Sequence, residues 1–253
     1  MNVLILGGTG EAAHLARELA ATDDLSATVS LAGRTQRPLP SALPTRTGGF
    51  GGVAGLERYL AEHAIGAVVD ATHPFAARMS SNAVAACHAR GVPLARLQRA
   101  PWTATAEDRW LRVTDLDEAA DAVRPLGRNI FLTVGAHSLR PFETVADKHW
   151  LVRAIDPPEP PPAFADWTLV QARGPFAVDD EIALMREHGV DAVVTKNSGG
   201  RMTEAKLSAA RELRLPVVVV ERPPVPDTNA EFDDIEEVVA WLRAREHHSS
   251  PAG

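Results

Sequence analysis

A short apolar run that breaks on two adjacent glycines and restarts as an amphipathic helix is compatible with few folds. Residues 2–20, NVLILGGTGEAAHLARELA, have that form. Residues 3–6 are apolar without interruption, which suits a parallel strand covered on both faces. Ala12, Leu15, Ala16 and Leu19 then recur at helical spacing and predict one buried helix face over residues 11–20. Between them, Gly8-x-Gly10-x-x-Ala13 fits the dinucleotide-binding fingerprint in a strand–turn–helix setting. The glycines permit a tight turn and close approach of a pyrophosphate, and the helix start offers free N–H groups and a positive dipole end. Gly8, Thr9, Gly10 and Glu11 are therefore candidate cofactor contacts. The alternative is a glycine turn that only packs a helix on a strand.

The same alternation continues to the end of the chain. Strands are predicted at residues 27–32, 66–72 and 92–97, with helices at 56–62 and 76–89, the latter ended by Gly91. Further strands are predicted at residues 129–135, 191–196 and 215–223, with helices at 117–123, 178–187, 204–213 and 235–243. This pattern predicts an α/β fold of two Rossmann-like subdomains, with mainly parallel sheets and a cleft between them. The expected division is residues 1–102, residues 103–246 and a flexible tail at 247–253, with the apolar strand at 216–221 able to complete either sheet. DPPEPPPAF at 156–164 is read as a stiff surface loop. In such sheets ligands sit beyond the carboxyl ends of the strands.

Composition narrows the function. The net charge of −7 argues against general nucleic-acid binding. No apolar run approaches the length of a membrane span, and no signal peptide is expected ahead of NVLILGG, so a cytoplasmic protein is expected. Cys87 is the only cysteine, which leaves no intrachain disulfide and no thiolate cluster, and it is expected to be a small buried hydrophobe. No second histidine stands at ligand spacing from His73, so no metal is proposed.

The end of the second strand carries the sign of the cofactor. In many proteins of this type a carboxylate stands there, accepting from a ribose 2′-hydroxyl. Here the position belongs to Gly33, Arg34 and Thr35. An arginine offers a fork of donors to a 2′-phosphate, so NADP(H) is predicted over NAD(H), with Arg37 as additional charge. A solvated surface arginine is the alternative.

Two more junctions bear chemistry. VVDATHPFA ends a buried strand on Thr72, His73 and Pro74, and His73 could donate a proton or orient a ligand. VTKNSGGRMTEAKL delivers Lys196, Asn197, Ser198, Gly199, Gly200 and Arg201 to the start of a helix, where donors converge on an anion. Thr203 as a simple N-cap is the plainer reading of that stretch. The Tyr-x-x-x-Lys pair of short-chain dehydrogenases is absent, since the only tyrosine, Tyr59, is followed four residues on by His63.

Taken in order, GGTGEA at 7–12, AGR at 32–34, GGFGG at 48–52, DATHPFA at 70–76, RPF after TVG, GPF at 174–176, TKNSGG at 195–200 and VVVVERP at 217–223 resemble the precorrin-6A reductase family of cobalamin biosynthesis. The resemblance implies two Rossmann-like subdomains and an NADPH-dependent reduction of the C18–C19 double bond of precorrin-6A to precorrin-6B. Hydride would go to C19 and a proton to C18. It also implies a tetrapyrrole carboxylate as substrate and allows transient contact with neighbouring pathway enzymes. Arg99, Trp102, Lys196, Asn197, Ser198, Gly199, Gly200 and Arg201 become the substrate-side candidates, with Arg140 a weaker one. His73 and Lys196 are the candidate proton donors, and water is the alternative. Two other functions stay open: an NADPH reductase acting on another anionic cyclic imine, and a non-catalytic NADP(H) sensor. The second anion site in TKNSGGR speaks against the sensor.

Overall fold

The computed structural model describes residues 1–22, 24–33 and 40–249. Arg34, Thr35 and Arg37 lie outside the described residues. The chain begins with β1 (Asn2–Leu6), α1 (Gly10–Ala20), β2 (Ser26–Leu31), β3 (Thr45–Thr47), α2 (Val53–Glu62), β4 (Ile65–Asp70), α3 (Ala77–Arg90) and β5 (Leu94–Leu97). It continues through β6 (Trp110–Val113), α4 (Leu116–Ala122), β7 (Asn129–Thr133), β8 (His149–Ala154), β9 (Trp167–Gln171), α5 (Val178–Glu187), β10 (Ala192–Lys196), α6 (Ala205–Glu212) and β11 (Val217–Val220). β12 (Ala230–Phe232) and α7 (Ile235–Ser249) close it. Two compact units result: Met1–Arg99 with Pro224–Gly253, and Ala100–Pro223.

Each unit holds one six-stranded sheet, in the orders β12-β5-β4-β1-β2-β3 and β6-β11-β10-β7-β8-β9. Every pairing is parallel. Both orders are the doubly wound 3-2-1-4-5-6 arrangement. The sixth place is filled in an unexpected way. β6 follows β5 in the chain yet pairs with β11 of the second sheet, and β12 follows the second unit yet pairs with β5 of the first. The apolar strand expected at 216–221 is β11, and it sits between β10 and β6. The second unit therefore ends at Pro223 rather than near residue 246, and α7 continues to Ser249, past the expected start of the tail.

Local chemistry explains the return of β12. Leu94 N donates to Asn229 Oδ1 at 2.9 Å, and Arg96 Nη2 donates to the Pro226 carbonyl at 2.7 Å. Arg96 also pairs with Glu231 directly across the ladder. α7 then lays Val238 and Leu242 into the core beside Leu15 and Leu19 of α1.

The unbroken apolar strands are covered on both faces, as their pattern requires. Val3 and Ile5 of β1 face α1 and α7, whereas Leu4 and Leu6 face Leu56, Leu60, Ala83 and Cys87 of α2 and α3. Cys87 is buried, and burial, followed by the charge of Asp70, pushes its thiol up to about 12. In the second unit, Phe131, Leu151, Val193 and Val219 pack against α5 and α6. Gly91 ends α3 in the left-handed conformation, as predicted, with its N–H on the last helical carbonyls. No helix among the described residues is long and apolar enough to cross a membrane.

Asp108 fastens the start of the second unit. Its carboxylate accepts from Thr105 N at 2.7 Å, Thr105 Oγ1 at 2.9 Å, and Arg211 Nε and Nη2 of α6 at 2.9 and 3.2 Å. Burial alone would raise this carboxyl, but the bonds from Arg211 and Thr105 outweigh it and hold the pKa below the ordinary 3.8. A carboxyl depressed on folding stabilises the fold above its unfolded value and loses that contribution as the pH falls through its folded value. Asp108→Asn is therefore expected to cost roughly 1–3 kcal/mol at neutral pH. In parallel thermal melts, the gap between wild type and variant should close in acid below pH 3.8. A gap that persists there would assign the effect to packing.

Candidate functional site

In the first unit, β1 stops at Leu6 and the next three residues build a tight turn into α1. Gly7 packs the turn closely: a Cβ there would stand 3.1 Å from Val29 Cγ1 and 3.3 Å from Ala12 Cβ. Gly8 has φ +114°, a conformation that L side chains rarely adopt, and a Cβ on it would meet nothing within 4 Å. The backbone is thus open on that side to a bulky anion. Thr9 is the N-cap of α1, with φ −119° and ψ 168°. Its Oγ1 accepts from Ala12 N at 3.1 Å and donates to the Ala71 carbonyl at 2.8 Å, which ties the turn to the end of β4. The cap takes up the Ala12 N–H and leaves those of Gly10 and Glu11 without an intrahelical acceptor. A dinucleotide pyrophosphate fits this arrangement.

The end of β4 lies beside β1, where the strand order reverses. Asp70 is fully buried, and its Oδ1 accepts from Thr72 N at 3.1 Å and Thr72 Oγ1 at 2.6 Å. That pair of bonds sets the Thr72–His73–Pro74 turn. Phe75 N donates to His73 Nδ1 at 3.2 Å, so a neutral ring carries its proton on Nε2. Gly33, with φ +75°, follows β2.

Arg99 was expected on the substrate side. It lies at the end of the first unit, where its Nη1 pairs with Glu11 Oε2 at 2.7 Å, beside the glycine turn. Glu11 in the first turn of α1 thus brings an arginine to the glycine turn.

The second unit repeats the architecture with different chemistry at its own reversal point, between β7 and β10. Gly135, with φ +86°, follows β7, but the chain continues as a 3₁₀ turn at Ala136–Ser138 in place of an α-helix. From the neighbouring strand, Lys196 Nζ donates to Ser138 Oγ at 2.6 Å. A tethered ammonium and a hydroxyl stand where the first unit has a capped helix start.

Beyond Lys196 the loop is built from the inside. Asn197 is 1% exposed, accepts from Trp102 N at 2.8 Å, and donates to the Trp102 carbonyl and Glu221 Oε2, both at 3.2 Å. Arg222 holds the Asn197 and Ser198 carbonyls at 3.0 and 3.2 Å. Trp102 is 8% exposed, its Nε1 donates to the Gly200 carbonyl at 3.0 Å, and the Lys206 ammonium lies 4.7 Å from its ring centroid. The indole braces the loop from below. Gly199 and Gly200 take positive φ, and Arg201 is exposed at the start of a 3₁₀ turn, Arg201–Thr203. Thr203 does not cap α6: Glu204 holds that place without a side-chain bond, and the Thr203 carbonyl accepts from Lys206 Nζ at 2.5 Å. Arg140 is exposed in the turn Arg140–Thr144.

Several contributors escaped the sequence reading. Ser138 follows the predicted strand at 129–135 by three residues, so its partnership with Lys196 had a visible signal. Glu221 and Arg222 close the apolar β11 and read only as its polar boundary. Asp70 read as one more residue of the strand predicted at 66–72. Among the described residues no group of three or more His, Cys, Asp or Glu side chains is arranged to hold a metal ion.

Comparison with known proteins places this arrangement. The family model described as precorrin-6x reductase CbiJ/CobK matches residues 2–243. The chain is 48% identical over 251 residues to a precorrin-6A reductase of Rhodobacter capsulatus, covering 99% of this chain and 98% of that protein. It is 47% identical over 243 residues to a precorrin-6A reductase of Rhodococcus erythropolis, covering 95% and 96%. A solved structure, CobK precorrin-6A reductase, superposes with a TM-score of 0.90 at 48% identity over 97% of each chain.

Proposed function

Because the chain belongs to the precorrin-6x reductase CbiJ/CobK family, we propose that it reduces precorrin-6A to precorrin-6B at the expense of NADPH. The observation that carries the cofactor half is the β1–Gly8–α1 junction, open above Gly8 and capped so that Gly10 and Glu11 keep their N–H groups. Bound NADPH would supply a hydride to C19 of the substrate, with a proton reaching C18.

The chain's own residues bind, select and orient. Gly8, Thr9, Gly10 and Glu11 receive the pyrophosphate, while Gly33, Arg34 and Thr35 take the adenosine ribose with its 2′-phosphate. Thr72, His73 and Pro74 close the reversal point of the first sheet. Lys196, Ser198 and Arg201 take substrate carboxylates, with Gly199 and Gly200 giving close backbone approach. Asn197 and Trp102 hold that loop in shape, and Arg99 acts beside Glu11. The proton to C18 comes from His73, from Lys196 or from water.

Arg34→Asp tests the selection. One good charged hydrogen-bonded contact is worth roughly 1.5–3 kcal/mol, so NADPH affinity should fall about ten- to hundredfold. NADH affinity should change much less. Cofactor titrations of both proteins, followed by NADPH consumption with precorrin-6A, read the two halves of the proposal separately. Unchanged discrimination would move the selectivity away from Arg34, and no consumption with precorrin-6A would remove the substrate.

A further inference from the structure

Asp70 carries a burden that the turn it caps does not explain. Its side chain is 0% exposed at the carboxyl end of β4. Oδ1 receives both donors of Thr72, and Oδ2 has no hydrogen-bond partner among the described residues. A buried carboxylate with one oxygen unsatisfied is costly and calls for an explanation. The surroundings transmit its field: the thiol of Cys87 is raised by burial and then by the Asp70 charge.

The strand order says what that field reaches. A dinucleotide bound across a 3-2-1-4-5-6 sheet places its adenosine half over the second strand and its pyrophosphate at the first helix. The other half then falls on the opposite side of the α1 N-terminus, over β4, the strand that Asp70 ends. Loss of a hydride turns the neutral reduced nicotinamide ring into a cation. A fixed negative charge in a dry setting favours the cation over the neutral ring.

We propose that Asp70 sets which redox state of the nicotinamide cofactor the first unit prefers, its buried carboxylate favouring the oxidised form and with it the release of hydride. This rests on the cofactor reading above. It deepens that reading by assigning the redox preference to a residue that touches neither the pyrophosphate nor the 2′-phosphate site.

The test is a ratio measured on the full chain. Dissociation constants for NADP+ and NADPH are determined for wild type, for Asp70→Asn, which keeps an acceptor for Thr72, and for Asp70→Ser, which removes the charge with a different shape. Both variants should shift the ratio towards the reduced cofactor, by roughly three- to thirtyfold, mainly by weakening NADP+. A purely structural role weakens both states alike, and an unchanged ratio in either folded variant overturns the proposal. A wild type that prefers NAD(H) removes the 2′-phosphate reading, yet the same ratio taken with NAD+ and NADH still decides the role of Asp70. A wild type that binds no nicotinamide nucleotide overturns both.

Discussion

Replacing Glu181 with alanine is expected to destabilise the second unit by about 3–5 kcal/mol. Glu181 lies in the first turn of α5 and Arg153 on β8, and their side chains are 3% and 7% exposed. They meet fork to fork, Nη1 to Oε1 at 2.7 Å and Nη2 to Oε2 at 2.6 Å. The guanidinium also lies 4.6 Å from the Phe131 ring centroid and 4.1 Å from that of Phe176. Loss of the carboxylate leaves a largely buried cation between two aromatic rings without its counter-charge. For a unit of this size each kcal/mol lowers Tm by roughly 2–8 °C. Calorimetry should therefore show the second unit melting well below its wild-type temperature, as a separate transition if the first unit keeps its own. A double variant, Arg153→Met with Glu181→Leu, should recover most of the loss, because a buried ion pair contributes little beyond an apolar pair of similar volume. If the double variant is as unstable as Glu181→Ala, the pair itself carries the stability.

Gly199→Ala is the second large expectation, and it falls on the candidate site. Gly199 has φ +68°, and a Cβ on it would stand 2.1 Å from the Ala100 carbonyl oxygen and 2.8 Å from Arg222 Nη2. The first obstacle is backbone, and that backbone leads directly into Trp102, whose N–H and carbonyl are both held by Asn197. Neither side can yield without breaking those bonds. Left-handed strain of about 1–2 kcal/mol and displacement of packed atoms of about 1–3 kcal/mol together give a loss of roughly 2–5 kcal/mol. The loop would also carry Ser198 and Arg201 out of place. The KM for precorrin-6A should rise by roughly tenfold or more, while NADPH affinity, which the proposed function assigns to the first unit, should not move. A cofactor Kd that rises in step with KM would show that the loop serves both ligands.

These expectations depend on features of unequal visibility in the sequence. The β1–turn–α1 junction was legible because period, glycines and cap all lie within a few residues of one another. α5 was legible to the residue. β8 was not, since HWLVRA carries His149 and Arg153, and only Glu181, far along the chain, makes an arginine acceptable in a buried strand. β3 and β12 have three residues each, too few for a period to declare itself. At the sites, the residues that point to ligands were conspicuous as glycines, lysine and histidine in strand-end turns. Those that hold them were not: Asn197 looked like a ligand contact and is largely a brace, and Arg99 met Glu11 only through the fold. The strand order was illegible because β6 is separated from β11 by the four other strands of its sheet, and β12 from β5 by the whole second unit.

The exchanged sixth strands also bear on how the protein is made. As the chain leaves the ribosome, β5 emerges early, but its outer edge has no neighbour until the whole second unit has been synthesised and β12 follows. The first unit cannot finish folding in the order in which it is written. It waits with an open edge, a template for mispairing, for as long as translation of the second unit takes. Its neighbour can close without waiting for the C-terminus, because β6 is made before the five strands it joins. A chain truncated after Pro223 and released should therefore hold a completed second sheet and an incomplete first one.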